Sequence, residues 1–319
     1  MRKTPALAIA AALLASLTAC TASSSAANGC GPFEPGKASE LVEATGPVGQ
    51  QPRASFPTPL IAQDTERSVL VEGEGDRIQE GQVVDMQVTL YLGETGQVLT
   101  ETSYDPDQPV RRVAGDDEDF FGSIVECAKP GGRIASATTV EAVYGENALL
   151  NIGIGNDVTL IAVVDVERAF LGKANGPDQL ATNGMPAVVT APDGTPGITL
   201  PNESAPDDLR LALSKRGGGE VVERGDRVVV HFTALDWERN RVLQSTWDRK
   251  APASWLIEDI EDDAQGIAPG LLKGLVGAPV GSQLVAVIPP SEGFPQGSGP
   301  GGASADSTVV YVVDVLGIQ

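Results

Sequence analysis

Residues 308–315 read Thr-Val-Val-Tyr-Val-Val-Asp-Val, and residues 159–166 read Thr-Leu-Ile-Ala-Val-Val-Asp-Val. The two stretches lie 149 residues apart, and both have the β-branched, apolar composition of a buried strand. Upstream, the stretch 78–88 matches the stretch 222–232 at an offset of 144 residues. Because the matches keep the same order, the sequence indicates two copies of one domain. A solenoid repeat would have a much shorter period of about 20–50 residues.

Both copies show short strands separated by turns. Apolar residues at 84, 86, 88 and 90 alternate with mostly polar neighbours, as in a half-buried strand. The segment 269–277 starts with Pro and ends with Gly, and Leu271 and Leu275 share one face, which predicts a short helix. We therefore expect an α+β fold of two tandem domains, each a curved antiparallel β-sheet packed on one short α-helix.

Composition and turn residues divide the chain into five parts. We expect a signal peptide at 1–19, a lipidated N-terminus and linker at 20–55, a diverged domain at 56–172, a polar linker at 173–182 and a second domain at 183–319. A weak pattern within 31–55 suggests an extra strand added to the first domain. The stretch 185–200 predicts two strands around a Pro-Asp-Gly turn.

The N-terminus carries an export signal. Arg2 and Lys3 precede a short apolar run, and small residues then lead to Cys20. The run is too short for a spanning helix of about 20 residues. The pattern resembles a bacterial lipoprotein signal, which implies a lipid on Cys20 and a location at the extracytoplasmic face of the cell membrane. The alternative is an ordinary secretory signal with a chance cysteine.

The chain is acidic, with a formal net charge of −21. Removal of the signal takes away Arg2 and Lys3 and no acid, which brings the charge to −23. This charge argues against binding to nucleic acid or to anionic lipid headgroups. Two cysteines remain beyond Cys20, namely Cys30 and Cys127. In an exported chain they either form a disulfide that staples the N-terminal segment to the first domain or stay separate thiols, and we expect the disulfide.

The second copy also carries an ordered set of short motifs. They are Gly225-Asp-Arg-Val-Val-Val-His-Phe-Thr233, Ser245-Thr-Trp-Asp-Arg-Lys-Ala-Pro252, Ile267-Ala-Pro-Gly-Leu271, Gly277-Ala-Pro-Val-Gly281 and the closing strand 309–316. Taken together, residues 207–319 resemble an FKBP-type peptidyl-prolyl cis/trans isomerase domain. Through the repeat, the first copy resembles a more diverged domain of that kind. The whole chain is similar to tandem-domain FKBP lipoproteins of the actinobacterial type.

The resemblance implies an isomerase that uses an apolar cup and no cofactor or metal. The cup residues carried over by position are Phe232, Leu243, Gln244, Ile267, Ala268, Phe294 and Tyr311, with Trp255 and Leu271 in contact with the substrate. The backbone N–H of Ala268 is expected to hold a substrate carbonyl. The implied substrates are proline-containing unfolded or nascent exported polypeptides, and we expect a monomer.

Several cup positions depart from the family pattern. Gln244 stands where Asp is usual, Leu271 replaces the floor Trp, and Phe294 replaces the flap tyrosine that offers its hydroxyl. Leu243 replaces Phe, and Ala253 replaces an aromatic residue. A polar loop at 295–307 takes the place of an apolar flap tip. The cup is therefore expected to be shallower and to lack one hydrogen bond, which leaves a second possibility: a non-catalytic chaperone or binding module.

The first copy keeps Leu99 and Tyr144 but has Ser123 at the floor position and Ala162 at the position of Tyr311. We expect it to be inactive in catalysis. His231 is the only histidine, which leaves zinc sites and Ser–His catalysis poorly supported and favours a structural role. The acidic run 116–119 is interpreted as a solvated turn rather than a calcium site, because it lacks the spacing of a calcium-binding loop.

Overall fold

Sixteen strands and three α-helices make up the described parts of the chain, residues 31–294 and 299–319 of a computed structural model. The segment 1–19 predicted to be a signal peptide, Cys20, Cys30 and part of the polar loop lie outside these parts. The elements of the first half are β1 (Glu43–Thr45), β2 (Arg53–Ser55), β3 (Glu66–Val71), β4 (Val83–Leu92), β5 (Val98–Glu101), β6 (Val110–Val113), α1 (Phe120–Val125), β7 (Arg133–Thr139), α2 (Val140–Tyr144) and β8 (Thr159–Ala169). Those of the second half are β9 (Ala187–Thr190), β10 (Pro196–Thr199), β11 (Arg210–Lys215), β12 (Arg227–Asp236), β13 (Arg241–Ser245), β14 (Ala253–Leu256), α3 (Pro269–Leu275), β15 (Gln283–Ile288) and β16 (Val309–Ile318).

Each half forms a six-stranded antiparallel sheet with the same strand order. The first sheet runs β3-β7-β8-β4-β5, and β6 also pairs with β4. The second runs β11-β15-β16-β12-β13, and β14 also pairs with β12. The repeated stretches that reveal the duplication are β8 and β16, and each has a strand on both sides. The prediction of two tandem α+β domains is confirmed.

A short helix packs on the inner face of each sheet. In the second domain, α3 begins at Pro269 and buries Leu271 and Leu275. A Cβ added at Gly274 would lie 2.7 Å from Leu284 Cδ2, so glycine allows the helix to approach β15 closely. In the first domain, Asp119 caps α1 by accepting from the N–H of Phe121 at 3.1 Å. The first domain also has α2 in addition to the one predicted helix. Within the described ranges, no helix is long and apolar enough to cross a membrane.

The hairpin β1–β2 forms a separate strap on the first domain. It pairs only with itself, so the expected extra strand in the sheet is replaced by a hairpin that lies on the outer face. The guanidinium of Arg133 holds the hairpin in this position, because it donates hydrogen bonds to the carbonyls of Gly46 and Pro47 at 3.0 and 2.9 Å. Ala38 and Val42 are buried in the same layer. Residues 31–55, expected to be a linker, are therefore packed on the sheet.

The second domain has a corresponding strap made of β9 and β10. These strands and their intervening turn confirm the strand–turn–strand pattern predicted for 185–200. Met185 and Leu200 pack against buried Leu235 and Val287 on the outer face of the second sheet. The segment 173–182 connects the domains and is also hydrogen-bonded to the second one, for instance through the N–H of Gly176 and the carbonyl of Gly281 at 3.0 Å.

Phe170 joins the two domains at the end of β8. It is 4% exposed and packs with Val83 of the first domain and with Val229 and Leu316 of the second. Arg168 lies over its ring at 4.6 Å and donates to the carbonyl of Ile318 at 3.0 Å. Apolar burial and a cation–π contact therefore hold the domains against each other.

Candidate active site

The inner face of β12 places one aromatic side chain at the middle of the second domain. Val228, Val230, Phe232 and Ala234 alternate toward the core, as the period of two along a strand requires. Phe232 is 4% exposed. It therefore forms a wall of the apolar interior between the sheet and α3.

Phe232 meets two other aromatic rings there. Its ring centroid lies 4.8 Å from that of Trp255 and 6.0 Å from that of Tyr311, and the last two are 6.3 Å apart in an edge-on arrangement. Trp255 is opposite Val228 in the β12–β14 register, and Tyr311 is opposite Ala234 in the β12–β16 register. Three strands thus bring three rings to one place, although the chain is only 4% aromatic.

The residues just before α3 and in its first turn form the floor of the cup whose walls are the rings of Phe232, Trp255 and Tyr311. Ile267 and Leu271 are 5% and 1% exposed and belong to the same apolar cluster as the three rings. Ala268 lies between them, and none of the described residues accepts a hydrogen bond from its N–H. Buried backbone donors are nearly always paired, so an unpaired one beside an apolar cup is available for a substrate carbonyl.

The rim of the cup contains the remaining predicted residues. Leu243 and Phe294 are half-buried and pack against the cluster, and Gln244 lies opposite Ala234 in the β12–β13 pairing. The polar loop returns to this rim at a short 3-10 turn, Pro300–Gly302. There an added Cβ on Gly301 would come within 2.1 Å of the carbonyl oxygen of Leu243, so the loop lies directly on the strand. The structure therefore brings seven of the nine predicted residues into one apolar cluster, and the other two, Gln244 and Ala268, are next to Leu243 and Ile267 in the chain.

Sequence reasoning missed the residue that fixes Phe232. Strand β13 ends opposite Thr233, and β14 begins opposite Val230, so Phe232 has no partner strand on that side. Thr246 fills the gap: its Oγ1 accepts from the N–H of Phe232 at 2.9 Å, and its N–H donates to the carbonyl of Phe232 at 3.0 Å. A threonine directly after a strand was the available signal, but its partner lies 14 residues away.

His231 packs behind this link. Its Nδ1 is 2.8 Å from Thr246 Oγ1, and its ring stacks on Trp247 at 3.9 Å. Burial lowers the pKa of His231 to about 4, which keeps the ring neutral at pH 7. The geometry gives His231 a structural place beside the cup and no place in it.

The first domain has no comparable cup. Ser123 at the floor position donates to the carbonyl of Asp116 at 2.9 Å, and Ala162 is fully buried. Tyr144, at the flap position, is 40% exposed. The ring pairs described in this domain are Phe56–Tyr91 and Phe120–Phe121, and neither contains a residue at the positions of Phe232, Trp255 or Tyr311.

Several known proteins are similar to this chain. The family model for FKBP-type peptidyl-prolyl cis-trans isomerase matches residues 218–316. A "Probable FK506-binding protein" of Corynebacterium glutamicum is 30% identical over 122 residues, which is 38% of this chain and 96% of that protein. An "FK506-binding protein" of Streptomyces anulatus is 23% identical over 124 residues, which is 39% of this chain and 96% of that protein. The crystal structure of the three FKBP domains of wheat FKBP73 aligns with a TM-score of 0.33 and 15% identity, over 80% of this chain and 94% of that one. The chain belongs to the FKBP-type peptidyl-prolyl cis-trans isomerase family.

Proposed function

We propose that the second domain accelerates cis/trans isomerisation of Xaa–Pro bonds in exported polypeptides. The observation that carries the proposal is the convergence of Phe232, Trp255 and Tyr311, within 6.3 Å of one another, on the apolar floor made by Ile267 and Leu271. A prolyl ring is apolar and fits such a surface. The first domain lacks these rings, so the activity is assigned to the second.

The chemistry needs no acid, base, nucleophile or metal. Rotation about the prolyl bond crosses a barrier of roughly 18–20 kcal/mol because it breaks amide resonance. The twisted amide has a less polar carbonyl, so an apolar, dry surface favours it over the planar form. The unpaired N–H of Ala268 would hold a flanking carbonyl while the bond turns.

The place of action is proposed from the N-terminal sequence. A lipid on Cys20 would anchor the protein at the outer face of the cytoplasmic membrane, where exported chains emerge unfolded. These residues lie outside the described parts of the structure. Replacement of Cys20 by Ser should release the protein from membranes, and a variant that still sediments with them would contradict the anchor.

A second function, binding without catalysis, is favoured by the burial of the cup. Phe232, Ile267, Leu271 and Tyr311 are each 5% exposed or less, so little wall is open to a prolyl ring. Phe294 also lacks the hydroxyl of the usual flap tyrosine. A non-catalytic module would suppress aggregation of an unfolded client and leave proline isomerisation at its uncatalysed rate.

The deciding experiment uses the soluble chain from Thr21 onward. Isomerisation of a short Xaa-Pro peptide is followed in a protease-free assay, beside the refolding of a proline-limited protein. Acceleration that is lost in the double variant Trp255→Ala with Tyr311→Ala would support catalysis by the second domain. Leu99→Ala in the first domain is the matched control and should keep the full rate. No acceleration by the folded chain would overturn the proposal.

A further inference from the structure

A groove of about 310 Å³ lies between the two domains, next to the cup. Its walls are β6 of the first domain and the start of β14 of the second. Ala253 lines this groove and also packs against the apolar cluster that contains Phe232, Trp255 and Tyr311. The groove therefore adjoins the cup, and both domains contribute to it. Its volume is at the lower end of the range for ligand pockets, about 300–1,000 Å³.

Strand β14 has a free edge at this groove. Among the described residues it pairs with β12 alone, in a register that sets Ser254 opposite Val229. Just beyond the strand, the N–H of Ile257 donates to the carbonyl of Asp226 at 2.8 Å. Because bonded and non-bonded positions alternate along an antiparallel pair, Ser254 turns its N–H and carbonyl away from β12. Ser254 is exposed and lines the groove, so these two groups are available to another chain.

Strand β6 forms the opposite edge of the groove. Of the described strands it pairs with β4 alone, and the N–H of Ala114 donates to the carbonyl of Gln82 at 2.8 Å. The same alternation turns the backbone of Val113 toward the groove. The groove thus lies between two open strand edges that do not pair with each other. An open edge is a template for pairing with another chain, and adding a strand to one is a general mode of peptide binding.

The charges of the groove favour a basic partner. Arg111 and Arg112 both line it, and each is already paired: Arg111 Nε lies 2.7 Å from Asp85 Oδ1, and Arg112 Nε lies 2.6 Å from Asp119 Oδ2. Asp116 also lines the groove and is exposed, and no described cation forms an ion pair with it. The next two residues are acidic and exposed as well. The unbalanced charge is therefore negative, which complements lysine or arginine.

We propose that this groove binds the segment of the client polypeptide next to the proline, as an extended basic strand on the free edge of β14. The inference rests on the proposed isomerase function, because a proline held in the cup brings its flanking residues to Ala253. It gives the first domain a part in substrate choice although that domain has no cup of its own. The substrate class is unfolded polypeptides with lysine or arginine close to a proline.

Peptides with matched flanks test the proposal. A short Xaa-Pro peptide is compared with two longer forms, whose flanks on both sides of the same core carry lysine in one and glutamate in the other. We expect kcat/KM for the lysine-flanked form to exceed that of the short peptide by about two- to tenfold, the effect of one backbone hydrogen bond. Glutamate flanks should give no gain. An equal rate for the short and the lysine-flanked peptides would overturn the proposal.

Three variants separate the groove from other causes. Ser254→Pro removes an N–H from the free edge and no bond to β12, so the gain from lysine flanks should disappear. Asp116→Lys should reverse the preference, so that glutamate flanks give the higher rate. Asp157→Lys is the matched control, because Asp157 is exposed in the turn before β8 and does not line the groove. It changes the charge equally and should keep the preference for lysine. A gain that survives both Ser254→Pro and Asp116→Lys would overturn the proposal.

Stability measurements show whether the variants fold. Tryptophan fluorescence during urea unfolding follows the second domain selectively, since Trp237, Trp247 and Trp255 all lie in it. If Ser254→Pro is unfolded, Asp116→Lys in the other domain decides alone. If the unaltered protein isomerises none of the peptides, the proposed function fails, and NMR titration decides the inference instead. Tighter binding of the lysine-flanked peptide, weakened by Asp116→Lys, would then support it, and equal affinities for the three peptides would overturn it.

Discussion

Arg133 and Asp165 form a bidentate salt bridge on the outer face of the first sheet, with Nε–Oδ1 and Nη2–Oδ2 distances of 2.5 and 2.7 Å. Both side chains are fully buried. The second domain has Gln283 and Asp314 at the same register, joined at 2.8 Å. In each domain the aspartate also accepts from a preceding N–H, of Gly49 at 2.7 Å and of Ala174 at 2.8 Å. One aspartate per repeat therefore ties the segment before each domain to its sheet.

Arg133→Ala should be strongly destabilising to the first domain. Removal of the cation leaves a buried carboxylate without its partner, a loss typically of about 3–5 kcal/mol. Amide hydrogen exchange in β8 measures the change. Arg112→Ala is the control, because its pair with Asp119 is 40% and 27% exposed and should contribute about 1 kcal/mol or less. Equal losses in the two variants would contradict a stabilising role for the buried pair.

The two sheets and α3 could be predicted from the sequence, because the patterns that indicate them are local and occur in both repeats. Alternating apolar residues along β4 and β12 define an inner face, and Pro269 and Gly277 delimit the helix. The straps could not be predicted in this way. The carbonyls of Gly46 and Pro47 are held by an arginine 87 and 86 residues further along the chain, and no pattern in 31–55 reveals that contact.

The same difference applies to the candidate site: some of its residues follow from local sequence patterns, and others depend on contacts that exist only in the folded chain. Motif spacing predicted the cup residues of β12, β13, β14, α3 and β16, because the inner face of each of these elements follows from its apolar pattern. Ile267, Ala268 and Phe294 lie outside the strands and α-helices and were predicted from the family resemblance alone. The link from Thr246 to Phe232 depends on where two partner strands stop along β12, which is a property of the folded sheet.

His231 should make the stability of the second domain depend on pH. Its pKa is about 4 in the folded state and about 6.5 when unfolded, so between these values the unfolded state binds more protons. The stabilisation is complete above pH 6.5 and is lost as the pH falls toward 4, by about 3 kcal/mol in total. Urea unfolding followed by tryptophan fluorescence measures it. Because His231 is the only histidine, His231→Asn should remove this component of the slope. An unchanged slope in that variant would refute the assignment.

Cys30 is predicted to pair with Cys127. Cys127 is disulfide-bonded, and its partner lies outside the described residues. A Cβ on Gly31 would lie 3.5 Å from the carbonyl oxygen of Glu126, so the neighbours of the two cysteines are close together. Mass spectrometry of unreduced peptides from the chain starting at Thr21 should find the 30–127 link, because that form lacks Cys20. Cys127→Ser should cost the first domain about 2–5 kcal/mol. Alkylation of both thiols without reduction would exclude the bond.

Gly301 and Gly302 offer a matched test of how the polar loop supports the cup. Both have positive φ, of 56° and 75°, so alanine introduces similar backbone strain at each. At Gly301 the new Cβ would lie 2.1 Å from the carbonyl oxygen of Leu243, whereas no atom of the described residues lies within 4 Å of a Cβ added at Gly302. Because Leu243 is held in β13, the loop must move away from the rim that it forms with Phe294.

Gly301→Ala should therefore destabilise the second domain by about 1–3 kcal/mol more than Gly302→Ala, the usual range for overpacking. Tryptophan fluorescence during urea unfolding measures the difference. The same comparison in the isomerase assay should show a lower rate for Gly301→Ala, because displacement of the loop also shifts Phe294 at the rim. If the two variants match in stability and in rate, contact between the loop and β13 has no part in maintaining the cup, and the rim must be held by the packing of Leu243 and Phe294 on the core alone.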